Sequence, residues 1–380
     1  MSLKIDISFP GGNIFIEDIN GFDVTLTKDM RNTEGDWFYW AFRGTFDEVG
    51  TYHFTFTNGW ACGARGPAVS YDDGMTWEWL GADCVSGEKR SRFFYNYDGS
   101  RGNRVIFCMG MQYQQAHLDA FLAKHQGDDR LSVSTLAYTR KNRAVEILHI
   151  EDKNAGGEKK RIFLSARHHC CEMMANYALE GILDAALQDD DLGRELRKKF
   201  IFDAVPFVDK DGVVDGDQGK NRRPHDHSRD YGDGHNLYPE VTAIQEFLMK
   251  AKPFVVNDLH CPWICMDCNE SIYFPGPADK EAEKRMLRMS AILEEEAPAC
   301  APHFSRDNIL YGTGWNTSAN YTKGSTLAAW ILRRGWRVGF AGTLEIAYAN
   351  AREITLTADS VRELGRALAR CYLRFVGEYA

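Results

Sequence analysis

The hydrophobic period of this chain changes near residue 113, and that change limits the folds open to it. Before it, β-branched and aromatic runs such as Asn13-Ile14-Phe15-Ile16, Phe38-Tyr39-Trp40-Ala41-Phe42 and Tyr52-His53-Phe54-Thr55-Phe56 alternate with Gly- and Asp-containing turns. After it, strand-like runs (131–138, 145–150, 162–166, 200–207, 253–259 and 338–346) alternate with helical ones (113–124, 171–187, 190–199, 239–251, 279–295 and 358–376). The first pattern predicts a β-sandwich domain over residues 1–112. The second predicts an α/β/α domain over 113–380, built on a mixed, mostly parallel central sheet.

A length of 380 residues fits two such domains. The net charge of -9 and the lack of a dense basic stripe argue against a nucleic-acid partner. No 18-residue apolar run occurs, so no membrane span is expected. Met1-Ser2-Leu3-Lys4 lacks the apolar core of a signal peptide, which makes the cytoplasm the expected location. In that reducing setting the ten cysteines read as free thiols rather than a disulfide framework.

The stretch Arg167-His168-His169-Cys170-Cys171-Glu172 joins the β-rich run Ile162–Ala166 to a helical pattern. A histidine and a glutamate three apart at such a junction can aim both side chains at one point, as zinc ligands do. The three-residue step to Glu172 selects His169 over His168. A third ligand is expected at the end of another strand, because sites in open α/β sheets lie at the carboxyl ends of strands. His260 ends the apolar run Pro253–Leu259. Two histidines and a glutamate with one open position form a catalytic zinc set, which polarises a carbonyl and brings the pKa of a water down to roughly 7. Glu345, alone among apolar neighbours in Val338–Ile346, is the expected general base.

Two other stretches carry less. Ser70-Tyr71-Asp72-Asp73-Gly74-Met75-Thr76-Trp77 matches the Asp-box pattern, which turn chemistry alone explains. Residues 209–235 read as a long loop rich in Asp, Gly, Arg and His, and loops of that length inside a compact domain are usually functional. Its aspartates lack the spacing of a calcium loop.

The ordered set of residues resembles the M14 zinc carboxypeptidases, in particular their cytosolic, Nna1-like branch with an N-terminal β-sandwich. The resemblance is strongest from about 160 to 350. It rests on His169-Cys170-Cys171-Glu172 for the family's H-x-x-E, His260 for the late third ligand, and Thr343-Leu344-Glu345 for its T-x-E base segment. It implies one Zn2+ per chain and a metallocarboxypeptidase that hydrolyses a C-terminal peptide or amide bond. The family's D-x-N-R pattern followed by an aromatic is matched by Asp226-His227-Ser228-Arg229-Asp230-Tyr231. By that match Arg229 binds the substrate carboxylate, Ser228 stands where the family has Asn, and Asp226 orients the first zinc histidine. A carbonyl-polarising arginine is implied upstream in the same loop, where Arg222 and Arg223 both stand and Arg222 is the first choice. A mobile tyrosine is implied before the base strand, Tyr311 first and Tyr321 as the alternative. Trp315 follows Gly312-Thr313-Gly314 where the cytosolic branch often has arginine, so specificity for glutamate is not implied.

Two readings compete. Cys261, Cys265 and Cys268 spell C-x₃-C-x₂-C, the spacing of a radical-SAM cluster or another metal or redox site. A non-catalytic, peptide-binding relative is the other, against which the retained Glu345 speaks.

Overall fold

The structure is a computed structural model that describes residues 2–379. Residues 3–108 form two five-stranded sheets. One is built on Ala41–Phe46 and Arg104–Cys108, the other on Gly50–Phe56 and Arg92–Tyr97. Alternating aromatic residues of these strands meet between the sheets, where Phe54 of one sheet lies 5.4 Å from Phe42 and 5.6 Å from Phe107 of the other. This is the sandwich the period-2 pattern predicts. Ser70 and Asp72 are used up inside the Asp-box turn, where the Asp72 carboxylate accepts from the Met75 and Thr76 N–H groups and the Thr76 hydroxyl.

The remaining chain builds one six-stranded sheet from β1 (Leu131–Tyr138), β2 (Ala144–Ile150), β3 (Lys160–Ala166), β4 (Phe200–Val205), β5 (Val255–His260) and β6 (Phe340–Glu345). Its order is β1-β2-β4-β3-β5-β6. The β4-β3-β5-β6 half is parallel, while β1 and β2 pair antiparallel. The parallel strands are buried on both faces, hence their near-continuous apolar runs. Helices cover both sides. Met174–Leu187, Lys280–Glu296 and Ala358–Tyr379 pack on one face, and Pro239–Ala251 with Leu327–Leu332 on the other. Met174–Leu187 and Ala358–Tyr379 approach so closely that a Cβ on Gly181 would lie 2.1 Å from the Arg362 carbonyl oxygen, and one on Gly365 2.1 Å from that of Ala178. These two glycines therefore set the helix spacing.

Two local readings change. The helix expected from 171 begins at Met174, because 170–173 are spent on the turn that carries Glu172. The 209–235 loop contains a short helix, Lys210–Asp215, and a 3-10 turn, His227–Arg229. All ten cysteines are free thiols. Among the described residues no helix is long and apolar enough to cross a membrane.

Candidate active site

The carboxyl ends of β3, β5 and β6 meet at one point. β5 and β6 run parallel with His260 opposite Glu345 as their last partners. β3 ends at Ala166, and Arg167 then takes a positive φ of 65° that turns the chain toward the helix. The buried Arg167 guanidinium holds this turn. It donates to the Cys170 carbonyl (2.6 Å), the Tyr113 carbonyl (2.8 Å) and Asn176 Oδ1 (2.9 Å). The Glu172 N–H donates back to the His169 carbonyl at 3.1 Å.

Ligand atoms of His169, Glu172 and His260 lie within 4.8 Å of one another. His169 Nδ1 is 2.9 Å from Glu172 Oε1, and His260 Nδ1 is 2.7 Å from Glu172 Oε2. Yet Glu172 Oε2, fully buried, has no hydrogen bond. A buried carboxylate oxygen without a hydrogen bond, in a group whose two oxygens face one imidazole nitrogen each, is costly on its own and suits a shared cation. The donor set, two nitrogens and one carboxylate, is the one zinc accepts at a catalytic site. The residues present fit the metal that their pattern implies.

Each histidine has its far nitrogen turned to an acid. His260 Nε2 lies 2.7 Å from Asp258 Oδ2, and His169 Nε2 lies 3.6 Å from Asp226 Oδ1. His168, Asp258 and His260 also cluster within ligand distance. However, both nitrogens of His168 are taken, Nδ1 by Asp258 (2.8 Å) and Nε2 by the Tyr231 hydroxyl (2.6 Å). His168 therefore supports Asp258, as does the Ser165 hydroxyl at 2.8 Å. Burial works against the charge on Asp258, but His168 and His260 outweigh it and hold the carboxyl well below its usual range. The same balance applies to Asp226, where His169 and Arg229 are the opposing charges.

Glu345 is buried, and its Oε2 has no hydrogen-bond partner. Burial, and then the nearby Glu172, push its pKa up, while His260, Lys220 and His169 pull the other way; the net shift is upward. A carboxyl poised above its ordinary value is suited to proton transfer.

Arg229 sits in the 3-10 turn after Asp226. Its guanidinium donates to the Ser228 hydroxyl at 2.9 Å and lies over the Tyr321 ring at 5.3 Å from the centroid. Gly324 lets this turn be braced, since a Cβ there would lie 2.0 Å from the Arg229 carbonyl oxygen.

Three sequence readings change here. Arg222 does not face the centre. Its buried guanidinium is paired with Asp209 at 2.9 Å and Asp217 at 2.7 Å. Arg223 is 81% exposed and pairs with Glu34. The cation that reaches the site is Lys220, whose Nζ lies 2.6 Å from Glu172 Oε1. Burial lowers the Lys220 pKa, but Glu172, Cys171 and Glu345 outweigh it, so the ammonium is held charged. Second, Tyr321, not Tyr311, lies against Arg229; Tyr311 is on the rim, 36% exposed. Third, the cysteine motif does not converge. Cys261 and Cys265 are buried while Cys268 is exposed, and among the described residues only the two histidine groups are placed to hold a metal.

Sequence reasoning missed Asp258 and Lys220. Asp258 was legible, since residues two apart on a strand share a face. Lys220 was not, because nothing local distinguishes it from Arg222 and Arg223.

Three parallel strand ends bring two histidines, a glutamate and a buried carboxyl together, the arrangement expected of a zinc hydrolase site. The zinc carboxypeptidase (Peptidase M14) family model matches residues 116–237. Over that stretch the chain is similar to the zinc carboxypeptidases. It is 24% identical over 319 residues to an uncharacterised protein of Zymomonas mobilis, covering 81% of this chain and 80% of that one. It is 28% identical to cytosolic carboxypeptidase 6 of Caenorhabditis elegans and 25% identical to cytosolic carboxypeptidase 3 of mouse, with 68% of this chain matched in each case. It spans 62% and 29% of the lengths of those two relatives. In fold it matches a metallo-carboxypeptidase of Burkholderia cenocepacia over the whole of both chains, with a TM-score of 0.81 at 19% identity. A Pseudomonas aeruginosa metallo-carboxypeptidase, solved with (2-guanidinoethylmercapto)succinic acid, matches over 99% of both chains with a TM-score of 0.80 at 16% identity.

Proposed function

We propose that this chain is a zinc metallocarboxypeptidase that hydrolyses the C-terminal peptide or amide bond of substrates with a free carboxylate. The observation that carries the reading is the convergence of His169, Glu172 and His260 at the strand ends, with Glu345 opposite His260. His169, Glu172 and His260 are assigned to the metal. A zinc ion bound there supplies Lewis acidity to a water and to the scissile carbonyl. Asp226 and Asp258 keep the ligand histidines oriented, each from the far nitrogen. Glu345 takes a proton from the attacking water and delivers it to the leaving amine. Arg229, with the Ser228 hydroxyl on its guanidinium, receives the terminal carboxylate as a planar fork. The Tyr321 ring on Arg229 closes that subsite in the place first read for Tyr311.

The division into a sandwich (1–112) and a catalytic unit (113–380) is supported by the way the sheets separate along the chain. The names of the cytosolic relatives support a cytoplasmic setting. Trp315, 37% exposed, stands where a basic residue would favour an acidic C-terminal side chain, so a preference for glutamate is not proposed.

The test is metal analysis of the purified protein alongside peptides that differ in their last residue, each with free and amidated ends. One zinc per chain and release of the C-terminal residue from free peptides are expected. Arg229→Ala should slow the free peptides and leave the amidated ones at their already low rate. Equal loss on both would remove Arg229 from the carboxylate subsite. Full occupancy by zinc without hydrolysis of any peptide would overturn the activity.

A further inference from the structure

The assignment of Arg222 to a buried ion-pair network leaves the scissile carbonyl without its expected cation, and the surroundings of Lys220 supply one. Lys220 is largely enclosed, with 12% of its side chain exposed, beside the candidate metal ligands. An ammonium has three N–H donors. One meets Glu172 Oε1 at 2.6 Å and a second the Cys261 carbonyl at 3.1 Å. Among the described residues no acceptor is recorded for the third. Cys261, whose carbonyl it meets, directly follows His260, the strand partner of Glu345, so the ammonium stands at the strand ends that carry the site.

The position of Lys220 depends on the N-terminal half of the chain. Its Nζ lies over the Trp37 ring at 5.2 Å from the centroid. Trp37 is fixed by its indole N–H, which donates to the Glu34 carbonyl at 2.9 Å. The same Glu34 carbonyl receives Asn221 Nδ2 at 2.8 Å, and the Glu34 N–H donates to the Asn221 carbonyl at 3.3 Å. Thr33 forms a β-bridge with Arg222. The segment 33–37 thus grips the two residues that follow Lys220 and covers Lys220 itself with an aromatic face.

We propose that Lys220, positioned by Trp37, is the residue that polarises the scissile carbonyl and stabilises the oxyanion, and that the N-terminal sandwich acts in the reaction by presenting Trp37. The proposal rests on the carboxypeptidase reading above. As the water oxygen bonds to the carbonyl carbon, the π pair moves to the carbonyl oxygen and Glu345 holds the proton the water releases. The Lys220 ammonium donates a hydrogen bond to that oxygen and keeps its proton. The pair then returns as the C–N bond breaks, and the proton on Glu345 passes to the amine. A buried charged donor is worth more here than in water, because the local dielectric is low.

Five forms of the full chain test this: wild type, Lys220→Met, Lys220→Arg, Trp37→Ala and the double variant Lys220→Met with Trp37→Ala, each loaded with zinc and checked for metal content and melting temperature. Wild-type turnover of free peptides judges the carboxypeptidase reading by itself. Lys220 is judged separately by binding a dipeptide phosphinate, a tetrahedral anion, and a free amino acid, a product. Lys220→Met is expected to retain zinc, to lose about 10²–10³-fold in kcat and to bind the phosphinate correspondingly more weakly, with product affinity within about twofold of wild type. Lys220→Arg should recover part of both losses. Trp37→Ala should lower phosphinate affinity in the wild type but not in a Lys220→Met background. Unchanged phosphinate affinity in Lys220→Met overturns the proposal even if wild type proves inactive on peptides. Loss of zinc from Lys220→Met also overturns it, since the ammonium would then be serving Glu172. An equal effect of Trp37→Ala in both backgrounds overturns the role given to the sandwich.

Discussion

Asp258 stands two residues before His260 on the same strand, and its carboxylate meets His260 Nε2 at 2.7 Å. Side chains two apart on a strand point to one face, so the strand itself aims the acid at the far side of its own metal ligand. His168 and Ser165 hold the acid's other oxygen, both at 2.8 Å. The ligand histidine is oriented by β5 and β3 together.

Removing that charge should loosen the metal without removing a ligand. Asp258→Asn is expected to weaken zinc binding by about 10–100-fold, the usual cost of losing such a partner. A titration against a zinc buffer measures it. An affinity equal to wild type would mean that the strand alone fixes the His260 ring.

Glu345→Gln keeps the size of the side chain and removes its basicity. We expect kcat to fall by about 10²–10⁴-fold with zinc content unchanged. Metal analysis and turnover on one sample decide the matter. Retained turnover would assign the base elsewhere.

Arg222 carries a prediction of the opposite kind. With Arg222→Met, the fully buried Asp209 loses its principal cation. Unpairing a buried charge costs about 3–5 kcal/mol, so urea denaturation should show a loss of that order. A variant as stable as wild type but slow in turnover would return Arg222 to the reaction.

His117 makes stability depend on pH. Burial, and then the positive charge of Arg362, bring its pKa down from 6.5 to about 4. The Gln114 N–H donates to Nδ1 at 3.1 Å, so the native ring is neutral. The unfolded chain takes up this proton first as pH falls, so the folded state loses stability from 6.5 down to about 4, by up to about 3 kcal/mol. Above 6.5 the group has no effect. Denaturation across that window should be steeper for wild type than for His117→Gln. Parallel curves would rule the residue out.

The residues proposed as metal ligands and base were legible because each sits where a local pattern ends. His169 and Glu172 occupy a strand-to-helix turn, His260 closes an apolar strand, and Glu345 is an acid in an apolar run. The cations were not legible. Lys220, Arg222 and Arg223 lie within four residues of one another in an irregular loop, and no periodicity says which way each points. Their destinations were set by partners that local periodicity does not reveal: distant Glu172 for Lys220 and Glu34 for Arg223, and Asp209 and Asp217 of the same loop for Arg222. The two tyrosines were ambiguous for the same reason.

By itself the sequence determined the order of layers, the strand ends that carry the candidate site, and which residues to propose as zinc ligands and base. These follow from hydrophobic period and from side-chain direction along a strand or turn, which are properties of neighbouring residues. Only the tertiary structure decided which cation enters the centre, which tyrosine covers Arg229, and that Trp37 of the N-terminal sandwich lies over Lys220. Those choices depend on burial and charge pairing between segments far apart in the chain, and these exist only once the sheets have packed.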